Sequence, residues 1–167
     1  MALTQVASGL IASVAASTLT GTQTIPRGTL PTGSELQVVN ATGTTGASNT
    51  TTTFADTGLT GTITPTSATS KILIFGHMGD FRTNTTANGI KINLCRNGSE
   101  IYRIAQELLY ISNAIDVGMD FNYLDSPATT SATTYKTQFA QLTGAGGTAQ
   151  SNPNNPAWSI TMMEISA

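Results

Sequence analysis

Apolar and polar positions alternate along much of the chain beyond residue 34, which is the periodicity of β-strands rather than of helices. The clearest alternation spans residues 90–104 and is interrupted only by Asn97 and Gly98. Asn and Gly tolerate the positive φ angles that a two-residue type I′ turn requires. The pattern therefore predicts a β-hairpin whose structural turn is formed by Asn97 and Gly98.

Further strands are predicted from short apolar or alternating runs that are separated by turn residues. Residues 71–78 contain an uninterrupted apolar run, which predicts a strand covered on both faces. Residues 41–53 are almost entirely Thr, Gly, Ser, Asn and Ala, and predict a polar loop that leads into a threonine-rich strand ending near Phe54. About eight or nine such strands predict an all-β fold, an antiparallel β-sandwich that is jelly-roll-like.

The first 34 residues follow a different pattern. Residues 1–20 are small and apolar, with larger side chains spaced at three and four, which predicts one face of a short helix or a packed extended arm. These candidate attachment or oligomer contacts are Leu3, Val6, Leu10, Ile11 and Val14. Residues 21–34 hold two prolines and three glycines and predict an extended linker. We therefore expect an N-terminal arm and linker over residues 1–34, and a β-sandwich domain over residues 35–167.

Composition removes several classes of function. Only 10% of the residues are charged, so a long-helix protein rich in Glu and Lys is excluded. Seven Lys and Arg against nine Asp and Glu argue against a nucleic-acid partner. No apolar run reaches the length of a transmembrane helix, so we expect no membrane insertion.

Few residues offer candidate chemistry. His77 is the single histidine and has no nucleophile motif beside it, so a hydrogen-bonded strand residue is favoured over a catalytic one. Asp116, Asp120 and Asp125 lack the spacing of a calcium loop and are interpreted as a solvated strand face. Cys95 is the single cysteine of the sequence, so an intrachain disulfide is excluded, and Cys95 is interpreted as a small buried residue. We expect no catalytic residue, no metal, no cofactor and no enzymatic activity.

Several blocks of sequence carry a resemblance to a known class of proteins. Residues 54–74 read FADTGLTGTITPTSATSKILI, and Arg-Asn-Gly follows at 96–98. Residues 125–135 read DSPATTSATTY, and the closing segment 160–165 reads ITMMEI. Together these blocks resemble a module of tailed-bacteriophage virion surface proteins, and the resemblance covers roughly residues 30–167.

The resemblance implies a non-enzymatic structural protein at the virion surface. The first expectation is a short trimeric fibre or a tail or neck appendage that displays the β-sandwich. The alternative is a capsid decoration protein that stabilises the head shell, and a lesser alternative is a carbohydrate-binding module for host-surface glycans. The expected partners are the chain itself, as a homotrimer, and other head or tail proteins that bind the N-terminal arm.

Overall fold

The computed structural model describes residues 30–84, 88–111, 115–144 and 146–167. The strands in these residues are β1 (Glu35–Gly43), β2 (Ala47–Asn49), β3 (Ala55–Ile63), β4 (Lys71–Thr83), β5 (Asn88–Arg96), β6 (Ser99–Ile111), β7 (Val117–Asp125), β8 (Thr133–Gln141), β9 (Ala149–Ser151) and β10 (Trp158–Ile165). The described part of the chain contains no helix that is long and apolar enough to span a membrane.

The strands form two antiparallel sheets with jelly-roll topology. In one sheet, called the β1 sheet below, β1, β10, β4 and β7 lie side by side, and the short strands β9 and β2 join the far end of β4. The other, called the β3 sheet, has the order β3, β8, β5 and β6. Among the eight long strands, the first, eighth, third and sixth therefore form one sheet, and the second, seventh, fourth and fifth form the other. This order is that of a jelly roll, so the predicted fold class is confirmed.

The hydrophobic core lies between the two sheets because alternate residues of the strands point inward. In β10, every second residue from Trp158 is buried, and β3 and β8 show the same alternation. Three aromatic rings occupy the centre of the core, with Phe81 packed against Trp158 at a centroid distance of 5.4 Å and against Phe139 at 6.3 Å. Each such side chain contributes roughly 1.5–3 kcal/mol through its burial.

The expectation that residues 71–78 are covered on both faces is wrong. The inner residues of β4, such as Ile72 and Ile74, are fully buried, but the outer residue Phe75 is 45% exposed. A sandwich has two layers, so each sheet has one inner face and one outer face. Among the described residues no third layer covers the outer face of β4, and an apolar run does not by itself report how many layers there are.

The expected threonine-rich strand ending near Phe54 is also absent. The strand β2 ends at Asn49, and the chain bends before β3 begins at Ala55. The side chain of Asn49 accepts a hydrogen bond from Thr51 N at 2.9 Å and donates one to Thr53 O at 2.8 Å. An Asn side chain that binds its own following backbone replaces strand pairing with a turn.

The hairpin of β5 and β6 turns at Asn97 and Gly98, whose φ angles are 49° and 88°. Positive values at both central residues are those of a type I′ turn. The turn is also attached to β8, because Asn97 N donates to Thr134 O at 2.8 Å and Thr134 N donates to Asn97 Oδ1 at 2.9 Å.

We expect Gly98→Val to lower the free energy of unfolding by about 1–2 kcal/mol, because a β-branched residue is strained at positive φ. A Cβ atom at Gly98 meets no other atom within 4 Å, so the cost comes from the backbone alone. Denaturant unfolding of the two proteins measures it. Gly144→Val is the matched control, since Gly144 has equally open surroundings without a positive φ. Equal destabilisation by both substitutions would contradict the strain argument.

Candidate functional site

The three aspartates on and beside β7 do not converge on one site. Asp116 accepts a hydrogen bond from Arg82 Nε at 2.6 Å, and Asp120 Oδ1 lies 2.6 Å from His77 Nδ1. Asp125 faces the opposite way, into the sandwich, where it is buried. Among the described residues, no group of three or more His, Cys, Asp or Glu side chains could hold a metal ion.

Asp125 instead joins the two sheets. Its carboxylate accepts two hydrogen bonds from Arg96 Nη1, both at 2.9 Å, and one from the Tyr135 hydroxyl at 2.7 Å. Burial raises the pKa of the Tyr135 phenol, and the hydrogen bond to Asp125 raises it further, so the phenol remains a donor. Arg96 and Tyr135 belong to the β3 sheet and Asp125 to the β1 sheet, so this group is a structural connection between the layers.

Glu164 is a second buried carboxylate, and no Lys or Arg side chain forms an ion pair with it within the described residues. It accepts hydrogen bonds from Thr66 N at 2.7 Å, from Thr66 Oγ1 at 2.8 Å and from Gln37 Nε2 at 2.6 Å. Burial raises the pKa of Glu164, but the hydrogen bonds from Gln37 and Thr66 outweigh it and hold the pKa below its usual range. The carboxylate thus fixes the loop between β3 and β4 against β1 and β10.

The expectations from the sequence did not include this role of Glu164. One signal could have found it: the alternation of Trp158, Ile160 and Met162 continues to residue 164, which places an acidic side chain at an inward position. A buried carboxylate must be supplied with donors. The sequence does not name them, because Gln37 and Thr66 are about a hundred residues away.

We expect the stability that Glu164 provides to be lost in acid. A carboxylate with a lowered pKa stabilises the fold above its unfolded pKa of about 4.3, and this contribution disappears as the pH falls through the folded value. Glu164→Gln should therefore cost about 1–3 kcal/mol at pH 7, because its amide nitrogen faces the donor of Gln37. Below pH 4 the deficit should shrink. Melting temperatures of both proteins between pH 7 and pH 3 test this, with Glu107→Gln, on an exposed side chain, as the control. A deficit that stays constant with pH would contradict it.

The outer face of the β3 sheet is occupied by polar side chains that bind one another. Asp56 accepts hydrogen bonds from Lys136 Nζ and Gln138 Nε2, both at 2.8 Å. Gln138 Oε1 accepts one from Cys95 Sγ at 3.2 Å. Burial raises the pKa of the Cys95 thiol, which keeps it protonated and unreactive.

The cationic side chains that β5 and β6 contribute to this sheet are engaged in the same way. Arg103 Nε and Nη2 donate to the two carboxylate oxygens of Glu100 at 2.8 and 2.7 Å. The Phe54 ring lies 4.8 Å from the Arg103 guanidinium carbon and 5.6 Å from Lys91 Nζ, within the range of cation–π contacts. The Lys and Arg side chains of this face are thus engaged with carboxylates or with the Phe54 ring, which does not favour a phosphate backbone as a ligand.

The outer face of the β1 sheet is apolar at its centre. Cross-strand pairs place Val38 opposite Met163, Met163 opposite Leu73, and Leu73 opposite Leu124, so a single apolar row crosses all four long strands. Val38 is 49% exposed and Leu124 is 50% exposed, and Phe75 lies beside the row on β4. These five residues are called the apolar face below.

The described residues also form a shallow cavity of about 240 Å³ against β2 and β9. Its lining consists of backbone, hydroxyl and amide groups, from Gly46, Ala47, Ser48, Gln150, Ser151, Asn152, Pro153 and Asn155. It contains neither an aromatic platform nor a titratable side chain. The cavity therefore offers hydrogen bonds to a ligand but no group for acid–base or nucleophilic chemistry.

The candidate attachment residues Leu3, Val6, Leu10, Ile11 and Val14 lie outside the described residues. The described part of the chain begins at Leu30, and the first strand begins at Glu35. The chain enters β1 beside its own C-terminal end, because Gly33 N donates to Ser166 O at 2.9 Å and Ser166 N donates to Ser34 O at 2.9 Å.

No protein-family model matches the chain, and no curated protein matches it. Among solved structures, the chain is similar to a chain in the structure of the Gx strain of infectious bursal disease virus. The two chains are 14% identical with a TM-score of 0.45, and the match covers 78% of this chain and 30% of that one. The VP2 subviral particle of the same virus gives 12% identity, a TM-score of 0.44, and coverage of 77% and 39%.

Particles of T=1 symmetry derived from this virus give 16% identity, a TM-score of 0.41, and coverage of 78% and 36%. The chain thus spans between 30% and 39% of the length of these three solved chains. With TM-scores below 0.5, these likenesses assign no role to any residue of this chain.

Proposed function

We propose that this chain is a non-enzymatic structural protein of a tailed-phage virion, a short trimeric fibre or a tail or neck appendage that displays its jelly roll at the virion surface. The observation that carries the proposal is the series of blocks at 54–74, 96–98, 125–135 and 160–165, which resembles such virion proteins. The jelly-roll order of the strands agrees with it, since this architecture is frequent among viral capsid domains. The architecture by itself does not determine function.

The use of titratable side chains supports a structural role over a catalytic one. Asp125 and Glu164 are buried carboxylates, and each of their oxygens accepts a hydrogen bond. Asp125 connects the two sheets, and Glu164 connects the loop between β3 and β4 to β1 and β10. Asp116 and Asp120 are paired at the surface with Arg82 and His77. General acid–base catalysis needs a titratable side chain within hydrogen-bond reach of a bound substrate, and the lining of the cavity against β2 and β9 contains none.

The proposal gives the N-terminal arm the task of attachment. Leu3, Val6, Leu10, Ile11 and Val14 provide apolar side chains, and no charged residue occurs before Arg27. An apolar segment without charges gains from burial against sister arms or against another virion protein. The domain then supplies the exposed part of the appendage.

Removing residues 1–25 tests the attachment. We expect the truncated protein to keep the circular dichroism of a β-protein and to fail to incorporate into particles. A matched substitution, Leu10→Asp with Ile11→Asp, should reproduce the failure without shortening the chain. Incorporation at the normal copy number by either variant would contradict attachment through the arm.

Light scattering of the full-length protein tests the homotrimer, and a monomer at micromolar concentration would contradict it.

The copy number per virion separates the appendage from the alternative, a capsid decoration protein. An appendage is present in tens of copies or fewer, and its loss abolishes adsorption to the host. A decoration protein is present in hundreds of copies, and its loss makes heads sensitive to heat. Quantitative mass spectrometry of purified virions measures this number. Binding of the isolated protein to a glycan array would favour the carbohydrate-binding alternative.

A further inference from the structure

We propose that the apolar face binds the same face of a second copy of this chain, about a two-fold axis that sets the two β4 strands antiparallel. The inference concerns a surface of the jelly roll and does not depend on the proposed role of the N-terminal arm. Two residues of this face, Leu73 and Phe75, belong to the run 71–78 that was expected from the sequence to be covered on both faces.

The two outer faces of the sandwich differ in a way that marks one of them as an interface. On the β3 sheet, the outer side chains of Asp56, Lys136 and Gln138 satisfy one another. On the β1 sheet, the row through Leu73 has apolar neighbours on every strand, and its two end residues are about half exposed. A contiguous exposed apolar row, unlike scattered apolar residues, is typical of a surface that binds another protein.

The charges at the two ends of this face identify the partner as a second copy in a defined orientation. Lys71 lies at one end of β4, and the hydrogen-bonded pair of His77 and Asp120 lies at the other end. The positions between these ends, such as Asn122 and Thr161, are neutral. Glu35 lies in the row of Lys71, but two strands away on β1. Along β4 and β7 the face thus carries a cation at one end, apolar side chains in the middle and a carboxylate at the other end.

A two-fold axis that crosses the strands between Leu73 and Phe75 brings opposite charges together. Each Lys71 then lies over the His77 of the other copy. Asp120 of that copy lies beside this His77 on the neighbouring strand β7, and neighbouring strands are about 4.8 Å apart. An axis parallel to the strands, between β4 and β10, would instead place each Lys71 over Ile165 with the other Lys71 one strand away, and each Asp120 over Thr42, so no opposite charges would meet. Because such an interface is isologous, each Lys71–Asp120 contact occurs twice.

The size of the face sets the strength of the contact. Four strands and seven residues along each strand cover about 20 Å by 20 Å. An area of about 400 Å² in projection is below the roughly 800 Å² per partner of a standard interface. The contact is therefore a weak one, which operates when copies are held at high local concentration, as on the surface of a particle.

Sedimentation equilibrium of the full-length protein, from roughly 10 μM to 1 mM, tests the inference over the range of weak protein contacts. We expect the weight-average mass to rise with concentration to twice its low-concentration value or beyond, because an oligomer joined by its N-terminal arms carries one apolar face per copy. Lys71→Glu and Asp120→Lys should each weaken this step roughly tenfold or more, because each creates two like-charge contacts. An equimolar mixture of the two variants should restore it, because every 71–120 contact is then between opposite charges.

Three further measurements keep the outcome unambiguous. Leu124→Asn should weaken the step through loss of apolar contact, while Glu107→Lys, on an exposed residue of β6, should leave it unchanged although it alters the net charge as Asp120→Lys does. All four substitutions should preserve the circular dichroism spectrum. A mass that stays constant up to 1 mM would overturn the proposal. So would charge reversals without effect, or a mixture that associates no better than its two components.

Discussion

Gly76→Val is expected to destabilise the jelly roll by about 3 kcal/mol or more, at the upper end of the cost of overpacking a core. Gly76 lies in the middle of β4 and directly opposite Phe121 on β7. The Phe121 ring lies over the glycine so closely that an added Cβ atom would overlap with its ring carbons. The ring is 8% exposed and is packed in the core, so it cannot move aside without opening a cavity there.

Thermal and denaturant unfolding measure this effect, and a second substitution tests its cause. Phe121→Ala in the Gly76→Val background removes the overlap. The double variant should therefore lose less free energy of unfolding than the two single variants lose together. Gly144→Val is the control, because a Cβ atom at Gly144 meets no atom within 4 Å. Additive costs in the double variant would mean that Gly76 is required for some other reason.

Arg96→Met is expected to lower the free energy of unfolding by about 2–3 kcal/mol, because it leaves a buried carboxylate without its cation. Asp125 is 6% exposed and keeps only the hydrogen bond from Tyr135 after this change. The Arg96 side chain is itself about one-third exposed, so the loss is placed below that of a fully buried pair. Methionine keeps the length and the apolar stem of arginine, so lost packing contributes little.

Arg82→Met provides the matched comparison. Arg82 also donates two hydrogen bonds to its partner Asp116, through Nε and Nη2. Both side chains are about one-third exposed, so the aspartate remains hydrated when the arginine is removed. Its loss should cost less than about 1 kcal/mol. Denaturant unfolding of the two variants gives the comparison. If Arg82→Met costs as much as Arg96→Met, burial of the carboxylate is not what makes the Asp125 group important.

Local patterns in the sequence predicted the strands well where one face is buried and the other is polar. The hairpin around Asn97 and Gly98 follows from residues adjacent in the chain, because strand periodicity and turn chemistry are local properties. The count of long strands and their turns was sufficient to predict a jelly-roll-like sandwich. The order of strands within each sheet was not, since strand neighbours such as β1 and β10 are over a hundred residues apart.

The apolar run 71–78 is where local reasoning was wrong. Ile72 and Ile74 point into the core, whereas Leu73 and Phe75 point outward. The apolar sequence of residues 72–75 is compatible both with a strand that lies between two layers and with a strand that has one apolar face at the surface. Only the position of β4 in a two-layer fold distinguishes them, and this position turned a presumed core segment into a candidate interface.

The sequence by itself determined the all-β class, the position of the tight turn and the low charge, because each depends on composition or on neighbouring residues and their intrinsic conformational preferences. Tertiary structure alone decided which distant side chains meet: Glu164 with Gln37 and Thr66, and Asp125 with Arg96. It also decided that one outer face is satisfied by its own polar contacts while the other is apolar and exposed. The physical reason is that burial and hydrogen bonding are set by what lies across a sheet or between sheets, and that partner is chosen by the topology of the whole chain.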